Sequence, residues 1–441
     1  MNDATVAIPI VSKRRFKVAF AIAFAFFVAY FDRTNVSVLI ANGQFNHDLG
    51  ITGDKLKQGL LMTAFLFPYG FSNFVTGPIG DRLGGRRSLI ATIIAWTVCM
   101  CAMGLVSSFA AMIAFRILLG VGESIMTPSC NMIVAEWFPD KERSRANSAW
   151  LAGLFFAPAI SFPVIVWIVN AFGWRTSFFV LAAIGLFVAL PLVTFWTSSR
   201  PEDHPAVSAA ELRHIRGGQA RTESPAFSWA NLRLLFSNYR YWICTFSYTG
   251  YGLGFWGISA FVPSYFEHAR HMNFTSAGLF AVLPWLTAAA LTIIGGILGD
   301  KRSALRVILW SAGYFVAAVL SYIGVHTGLV SLSIVLISVA VGLMAFTLGP
   351  MWAVVQELTP LGMTGLGTGF VNGVAYIASA FGPALVGAIV DRTGSYAVGF
   401  YILAGWLIVT GLALIPLWRG YLPVAASGKG SGSALTSSTH S

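Results

Sequence analysis

Charge is what this sequence has least of. Only 10% of its 441 residues are Asp, Glu, Lys or Arg, against 56% hydrophobic, whereas a soluble globular domain carries about 25% charged residues. A water-soluble fold is excluded. Cysteine is scarce too. Cys99, Cys101, Cys130 and Cys244 all fall inside apolar stretches and give neither an extracellular disulfide framework nor a metal-ligand spacing. They read as packing residues, and no cofactor or metal is expected. Alternating segments of about ten residues, the mark of a membrane β-barrel, are missing as well. No loop carries a catalytic motif, and the longest polar stretch, 197–240, is too short for a separate domain. An enzyme or a sensor is therefore not expected.

What is present is a series of apolar runs, each long enough to cross about 30 Å of hydrocarbon as a helix. Six of them, Val18–Ile40, Gly59–Ile79, Ser88–Val106, Phe109–Ala135, Asn147–Val169 and Ser177–Trp196, precede the 197–240 break. Six more follow it: Tyr241–Tyr265, Ser276–Gly299, Val307–Val325, Ser331–Gln356, Leu366–Ile389 and Val398–Trp418. The expected fold class is an all-α integral membrane protein of twelve transmembrane helices. Two six-helix bundles, 18–196 and 241–418, are joined by the 197–240 loop. A short segment, 1–17, precedes the first bundle, and a Ser/Gly/Thr-rich tail within 419–441, expected to be disordered, follows the second.

A net charge of +11 invites a nucleic-acid partner, but the placement of the bases argues otherwise. Of the 28 Lys and Arg, 21 lie in the termini and the loops after even-numbered runs, and five (Lys55, Lys57, Arg175, Arg270, Arg392) lie in the opposite loops. This is the positive-inside asymmetry. It predicts that both termini are cytoplasmic and that the basicity is topological, with lipid rather than nucleic acid as the surrounding partner. The basic cluster before Val18 resembles the start of a signal peptide, but Asp32 and Arg33 interrupt the run and no small-residue cleavage site follows.

Three markers recur at nearly one offset. Gly80-Asp81 returns as Gly299-Asp300 after 219 residues, Glu136…Pro139 as Glu357…Pro360 after 221, and Gly173 as Gly394 after 221. Two homologous halves are the simplest account, and parallel halves with a site between them resemble the major facilitator architecture. The stretch Gly77-Pro-Ile-Gly-Asp81-Arg82-Leu-Gly84-Gly-Arg86-Arg87 is similar to the loop signature of that superfamily. Its acid suits a helix N-terminus across the interface between halves, where the macrodipole favours an anion. Asp81, Arg82 and Arg145, the last as partner of Asp81, are therefore expected to form a conformational latch.

Inside the apolar runs the sequence retains four clear charges: Asp32 and Arg33 on run 1, Arg116 and Glu123 on run 4. On insertion scales each costs about 2.5–3.5 kcal/mol at a helix centre. Seven residues, two helical turns, separate Arg116 from Glu123, so they share a face about 10 Å apart and are not simply each other's partners. Asp32 and Arg33 are adjacent and point about 100° apart. Pairing across helices follows, and a structural ion-pair network is the competing account. The 221-residue shift carries Arg116 to Ile337 and Glu123 to Met344, so the charged chemistry sits in one half only. Arginine matches a carboxylate bidentately and stays charged. A buried carboxyl group whose neutralising arginine moves onto substrate gains reason to take a proton. All seven histidines lie in loops, ends or the tail, which leaves no histidine relay.

Polar and aromatic residues beside these charges, Tyr30, Asn35, Ser37, Tyr69, Asn73, Tyr248, Tyr251, Trp256, Trp352, Gln356, Asn372 and Tyr376, are individually better read as interhelical contacts than as ligands, with Tyr30 the strongest exception.

Tyr30-Phe-Asp32-Arg33-Thr-Asn35, the Tyr69–Arg87 block, Arg116-Ile-Leu-Leu-Gly120-Val-Gly122-Glu123, and Trp352 followed by Asn372 together resemble the anion:cation symporter family of bacterial sugar-acid and phthalate permeases and vesicular carriers. The resemblance implies proton-coupled uptake of an organic carboxylate by alternating access in a bacterial inner membrane, with the proton as coupling ion. It implies Asp32 and Glu123 as protonation sites, Arg33 as the carboxylate-binding residue and Arg116 as partner of the helix 1 acid. Tyr30, Tyr69, Trp352 and Asn372 would line the substrate site. Two departures, no Gln or Asn facing the site from helix 5 and Gly349 in place of a helix 10 serine, remove hydroxyl-binding groups. They shift the expectation from a polyhydroxy acid towards a less polar or aromatic carboxylate. A monomer is expected. The alternative class is an anion exchanger or an exporter, but run 5 lacks the Gly-Pro-x-x-Gly-Gly stretch of exporters and run 7 has no second substrate arginine.

Overall fold

The computed structural model describes residues 13–40, 42–217, 229–272, 280, 282–360 and 362–418. Twelve long helices account for most of them: α1 (Arg14–Ile40), α2 (Lys55–Leu83), α3 (Gly85–Leu105), α4 (Phe109–Ser124 continued by Met126–Trp137), α5 (Arg143–Phe172) and α6 (Trp174–Ile184, through a π turn, to Leu190–Trp196) in the first half. The second half holds α7 (Tyr239–Ser264), α8 (Leu283–Lys301), α9 (Arg306–His326), α10 (Val330–Phe346 continued by Leu348–Leu358), α11 (Thr364–Thr393) and α12 (Tyr396–Leu412). By length and composition alone nine of these are apolar enough to cross a membrane, while α1, α2 and α7 match them in length at 27, 29 and 26 residues. The start of run 8, part of the 197–240 loop and the 419–441 tail fall outside the described residues. Leu105, Phe187 and Phe195 are 75%, 73% and 73% exposed, which a helix tolerates when it faces hydrocarbon.

Proline bends the two halves alike. A proline within a helix gives no hydrogen bond to the carbonyl four residues earlier and crowds it. For Pro128 that carbonyl is on Ser124, and for Pro350 it is on Phe346, where α4 and α10 break. The α4 bend falls directly after Glu123.

In lipid the helices gain little from burying apolar surface against one another, so close packing of small residues decides which faces meet. Two glycine seams join the halves. On α11, Gly365, Gly369 and Gly373 recur every fourth residue against α2, and a Cβ added at Gly369 or Gly373 would come within 2.9 Å of the Asn73 carbonyl oxygen or 3.0 Å of that of Gly70. The pseudo-symmetric seam sets Gly296 and Gly299 of α8 against Ser144 and Ser148 of α5.

Loops fasten each face. On the face carrying the 197–240 connection, Glu211 of a short helix, Ala209–Arg216, accepts hydrogen bonds from the Arg14 and Arg15 amides and caps α1. Arg15 also pairs with Glu142 at 2.8 Å. On the opposite face Asp48 accepts from Trp174 Nε1 (2.9 Å) and Arg175 Nη1 (2.8 Å). Those two bonds hold its carboxyl below the usual carboxylate range.

Candidate functional site

α1 and α4 bring the four intramembrane charges together as two cross-helix pairs. Arg33 Nη2 lies 3.3 Å from Glu123 Oε2, and Arg116 Nη1 lies 3.7 Å from Asp32 Oδ2. Asp32 and Arg116 are fully buried, and Glu123 is nearly so. Removing one member of such a pair strands the other charge, at a cost of about 3–5 kcal/mol. Arg116 is held further by its Nε, which donates to the Leu61 carbonyl at 2.9 Å.

Arg33 occupies an aromatic cage at the boundary between halves. Its guanidinium carbon lies 4.3 Å from the ring centroid of Tyr30, 4.7 Å from Tyr69, 4.8 Å from Phe65 and 5.9 Å from Tyr376. Such contacts stabilise a desolvated cation by up to about 2 kcal/mol. Nη1 donates to the hydroxyls of Tyr30 (2.9 Å) and Tyr376 (3.2 Å), which lie 3.0 Å from each other. Tyr376 is on α11, so the second half reaches the charged quartet through a neutral hydroxyl. By sequence Tyr376 reads rather as an interhelical contact than as a ligand; its place on Arg33 depends on the α2–α11 seam, which no local pattern reveals.

Next to this cage is a narrow central cavity of about 10 Å³, room for roughly one water molecule. Its walls are mainly Phe26, Trp150, Tyr248, Tyr251, Trp352 and Tyr376, with Thr127 and Asn372 as polar members. Trp352 is fully buried, and its indole N–H has no partner among the described residues. Asn372 donates to Asn73 Oδ1 at 3.0 Å, and Tyr69 shares a 3.1 Å hydrogen bond with Thr127.

Helix 5 carries one amide near the site, Asn147, which lies one turn outside the cavity and does not line it. Asn147 Nδ2 donates to Gln356 Oε1 (3.1 Å), Gln356 Nε2 donates to Asn131 Oδ1 (2.8 Å), and the cavity-lining Trp150 donates to Asn147 Oδ1 (3.3 Å). The amides of α4, α5 and α10 thus tie the halves together beneath the cavity. Gly349 has a steric reason: a Cβ there would lie 2.8 Å from the Ser144 carbonyl oxygen and 3.3 Å from Gly296 Cα, so α5, α8 and α10 leave no room for serine.

The latch expectation needs a correction. Asp81 accepts from the Gly365 and Leu366 amides at 2.6 and 2.7 Å, capping α11 across the interface. Arg145 is not its partner. It pairs with Asp300 at 2.8 Å, and Asp300 also accepts from the Ser144 and Arg145 amides, both at 2.9 Å. The repeat explains the exchange: each half's acid caps a helix of the other half, and Arg145 stands at the α5 start, opposite α8. Arg306 joins this second cap, reaching Asp300 at 3.1 Å and pairing with Glu357. Arg82 is exposed at the end of α2 and makes no ion pair among the described residues.

Removing a cap of this kind costs about 0.5–2 kcal/mol. Asp81→Ala is therefore expected to speed hydrogen exchange across residues 362–372, and Asp300→Ala across 143–150, by about 5–30-fold for 1–2 kcal/mol. Unchanged exchange in both would show that the caps do not hold this face shut.

Comparison with known proteins adds a lineage to this geometry. A profile described as the Major Facilitator Superfamily matches residues 22–383. The chain is 30% identical to the probable sulfoacetate transporter of Cupriavidus necator over 91% of its own length and 93% of that relative. It is 28% identical to a probable L-galactonate transporter of Escherichia coli over 90% and 87%, and 26% identical to the hexuronate transporter of Bacillus subtilis over 92% and 96%. Among solved structures, the proton:xylose symporter XylE matches with a TM-score of 0.70 at 16% identity, over 92% of this chain and 99% of that one. The human organic anion transporter MFSD10 matches at 0.69 and 16%, over 91% and 99%. At such identities the solved structures speak for the fold alone.

Proposed function

The chain belongs to the Major Facilitator Superfamily and, within it, to the anion:cation symporter family, and from that premise we propose that this transporter takes up a small organic anion together with protons by alternating access. The observation that carries the reading is Arg33. Its partners at the boundary between halves are Glu123 and two tyrosine hydroxyls, and a carboxylate can replace all three through the same guanidinium fork. Once Arg33 turns to the substrate, Glu123 loses its counter-ion, and a proton takes the place of that charge. Asp32, paired with Arg116, is the second proton carrier. The face closed by Asp81 and Asp300 is assigned to the cytoplasm because the Lys and Arg excess lies there, and its opening releases solute and proton inward.

The cavity walls support a substrate with few hydroxyl groups. Aromatic rings surround Thr127 and Asn372, and the amides on α4, α5 and α10 are occupied with one another. The substrate named for the Cupriavidus necator relative is of that kind.

Uptake into proteoliposomes tests this directly, with sulfoacetate, benzoate, L-galactonate, D-glucuronate and D-glucarate offered under an inside-alkaline gradient. Accumulation of at least one acid, abolished by a protonophore and strongest for sulfoacetate or benzoate, is expected. Counterflow of two anions that ignores the gradient would identify an exchanger instead.

A further inference from the structure

Behind the Arg33–Glu123 pair, the first half holds polar atoms that the protein itself leaves without hydrogen-bond partners. Both Asp32 oxygens, both terminal nitrogens of Arg116, Glu123 Oε1 and both amide atoms of Asn35 are in this condition among the described residues. Asp32, Asn35 and Arg116 are fully buried. Asp32 and Asn35 are three residues apart on α1 and so are neighbours on one helix face. The 3.7 Å between Arg116 Nη1 and Asp32 Oδ2 is too wide for a direct hydrogen bond. None of these residues lines the central cavity. Buried polar atoms in native proteins are nearly always satisfied, by ordered water where protein is lacking, and such a water typically makes about three hydrogen bonds.

We propose that Asn35 is a positioning residue for proton coupling, its amide holding bound water against Asp32 and Arg116 in a hydrated pocket separate from the substrate cavity. The inference rests on the symport reading above. Asparagine suits the place because its carbonyl accepts and its NH₂ donates, so one side chain can orient water towards both a carboxylate and a guanidinium. A hydronium entering the pocket passes one proton to an Asp32 oxygen and leaves neutral water and a neutral carboxyl group, with no other bond changed. At this depth the charged or titratable groups are Tyr30, Asp32 and Arg33 on α1, Tyr69 on α2, Cys99 and Cys101 on α3, Arg116 and Glu123 on α4, and Tyr376 on α11. α5 beyond Arg145 and α6 beyond Arg175 supply none.

Difference infrared spectra of the purified full-length protein, acid minus alkaline, in ordinary water and in water enriched in oxygen-18, read the pocket. Wild type is expected to show an isotope-sensitive water band. Asn35→Val should lose that band and shift the Asp32 carboxyl band, which Asp32→Asn identifies by deleting it; Asn35→Ser should keep the water. An isotope-insensitive wild-type spectrum overturns the proposal without need of any variant, and so does an unaltered spectrum in Asn35→Val. In proteoliposomes, with the acid of the panel above that the wild type accumulates, Asn35→Val should lower maximal gradient-driven uptake about tenfold with KM within about twofold, and Asn35→Ser should restore most of it. Coupled wild-type uptake alongside an unaffected Asn35→Val overturns this inference alone. Wild-type uptake indifferent to the gradient overturns the symport reading and this inference with it.

Discussion

Arg33→Ala abolishes substrate binding: affinity for the transported acid falls by two to three orders of magnitude or more, read by isothermal titration or by a lost thermal shift. A desolvated, hydrogen-bonded charge pair truncated on one side typically costs about 2–5 kcal/mol, and here the guanidinium has no understudy. Arg116 is engaged with Leu61 and Asp32, and α7 contributes no basic residue beyond Arg240 in its first turn. The cage of Tyr30, Phe65, Tyr69 and Tyr376 holds a flat cation at fixed height, so Arg33→Lys, a compact charge without the fork, is expected to recover only part of the affinity. Retained affinity in Arg33→Ala would remove this residue from the site.

Glu123→Gln separates binding from coupling. The amide still accepts from Arg33, so the acid still binds and exchanges between equal pH on both sides. What it cannot do is trade its arginine for a proton. One pH unit is worth 1.36 kcal/mol per proton moved, so for each proton the residue carries, accumulation under a gradient of one unit drops about tenfold. Measuring steady-state accumulation against the size of the gradient gives the slope, and an unaltered slope rejects Glu123 as a carrier. Asp32→Asn serves as the companion measurement: if both acids carry protons, the two variants lower the slope separately.

These two expectations draw unequally on sequence and structure. That Asp32, Arg33, Arg116 and Glu123 matter was legible from their placement in the sequence, because a charge inside an apolar run is expensive. That their pairing crosses helices followed from two spacings, one residue on α1 and seven on α4. The pairing of Arg116 with Asp32 was implied by the family resemblance and not by any spacing, and the partners of Arg33 were not legible. Tyr376 lies 343 residues from Arg33 and reaches it only because Gly369 and Gly373 let α11 lie against α2. The amide set of Asn131, Asn147 and Gln356 escaped for the same reason, since each side chain by itself reads as ordinary interhelical polarity.

The sequence by itself determined the number and length of the helices, the doubling of the chain and the confinement of charge to one half. All of these follow from local quantities: the thickness of hydrocarbon, the recurrence of a motif and the cost of an ion in lipid. Tertiary structure alone decided that Asp81 caps α11 while Arg145 answers to Asp300, that Gly349 has no room for a hydroxyl, and that Arg33 sits in a cage closed from both halves. Those depend on which helix faces meet, and in a membrane that is settled by the close fit of small residues between distant segments, a property no single stretch of chain contains.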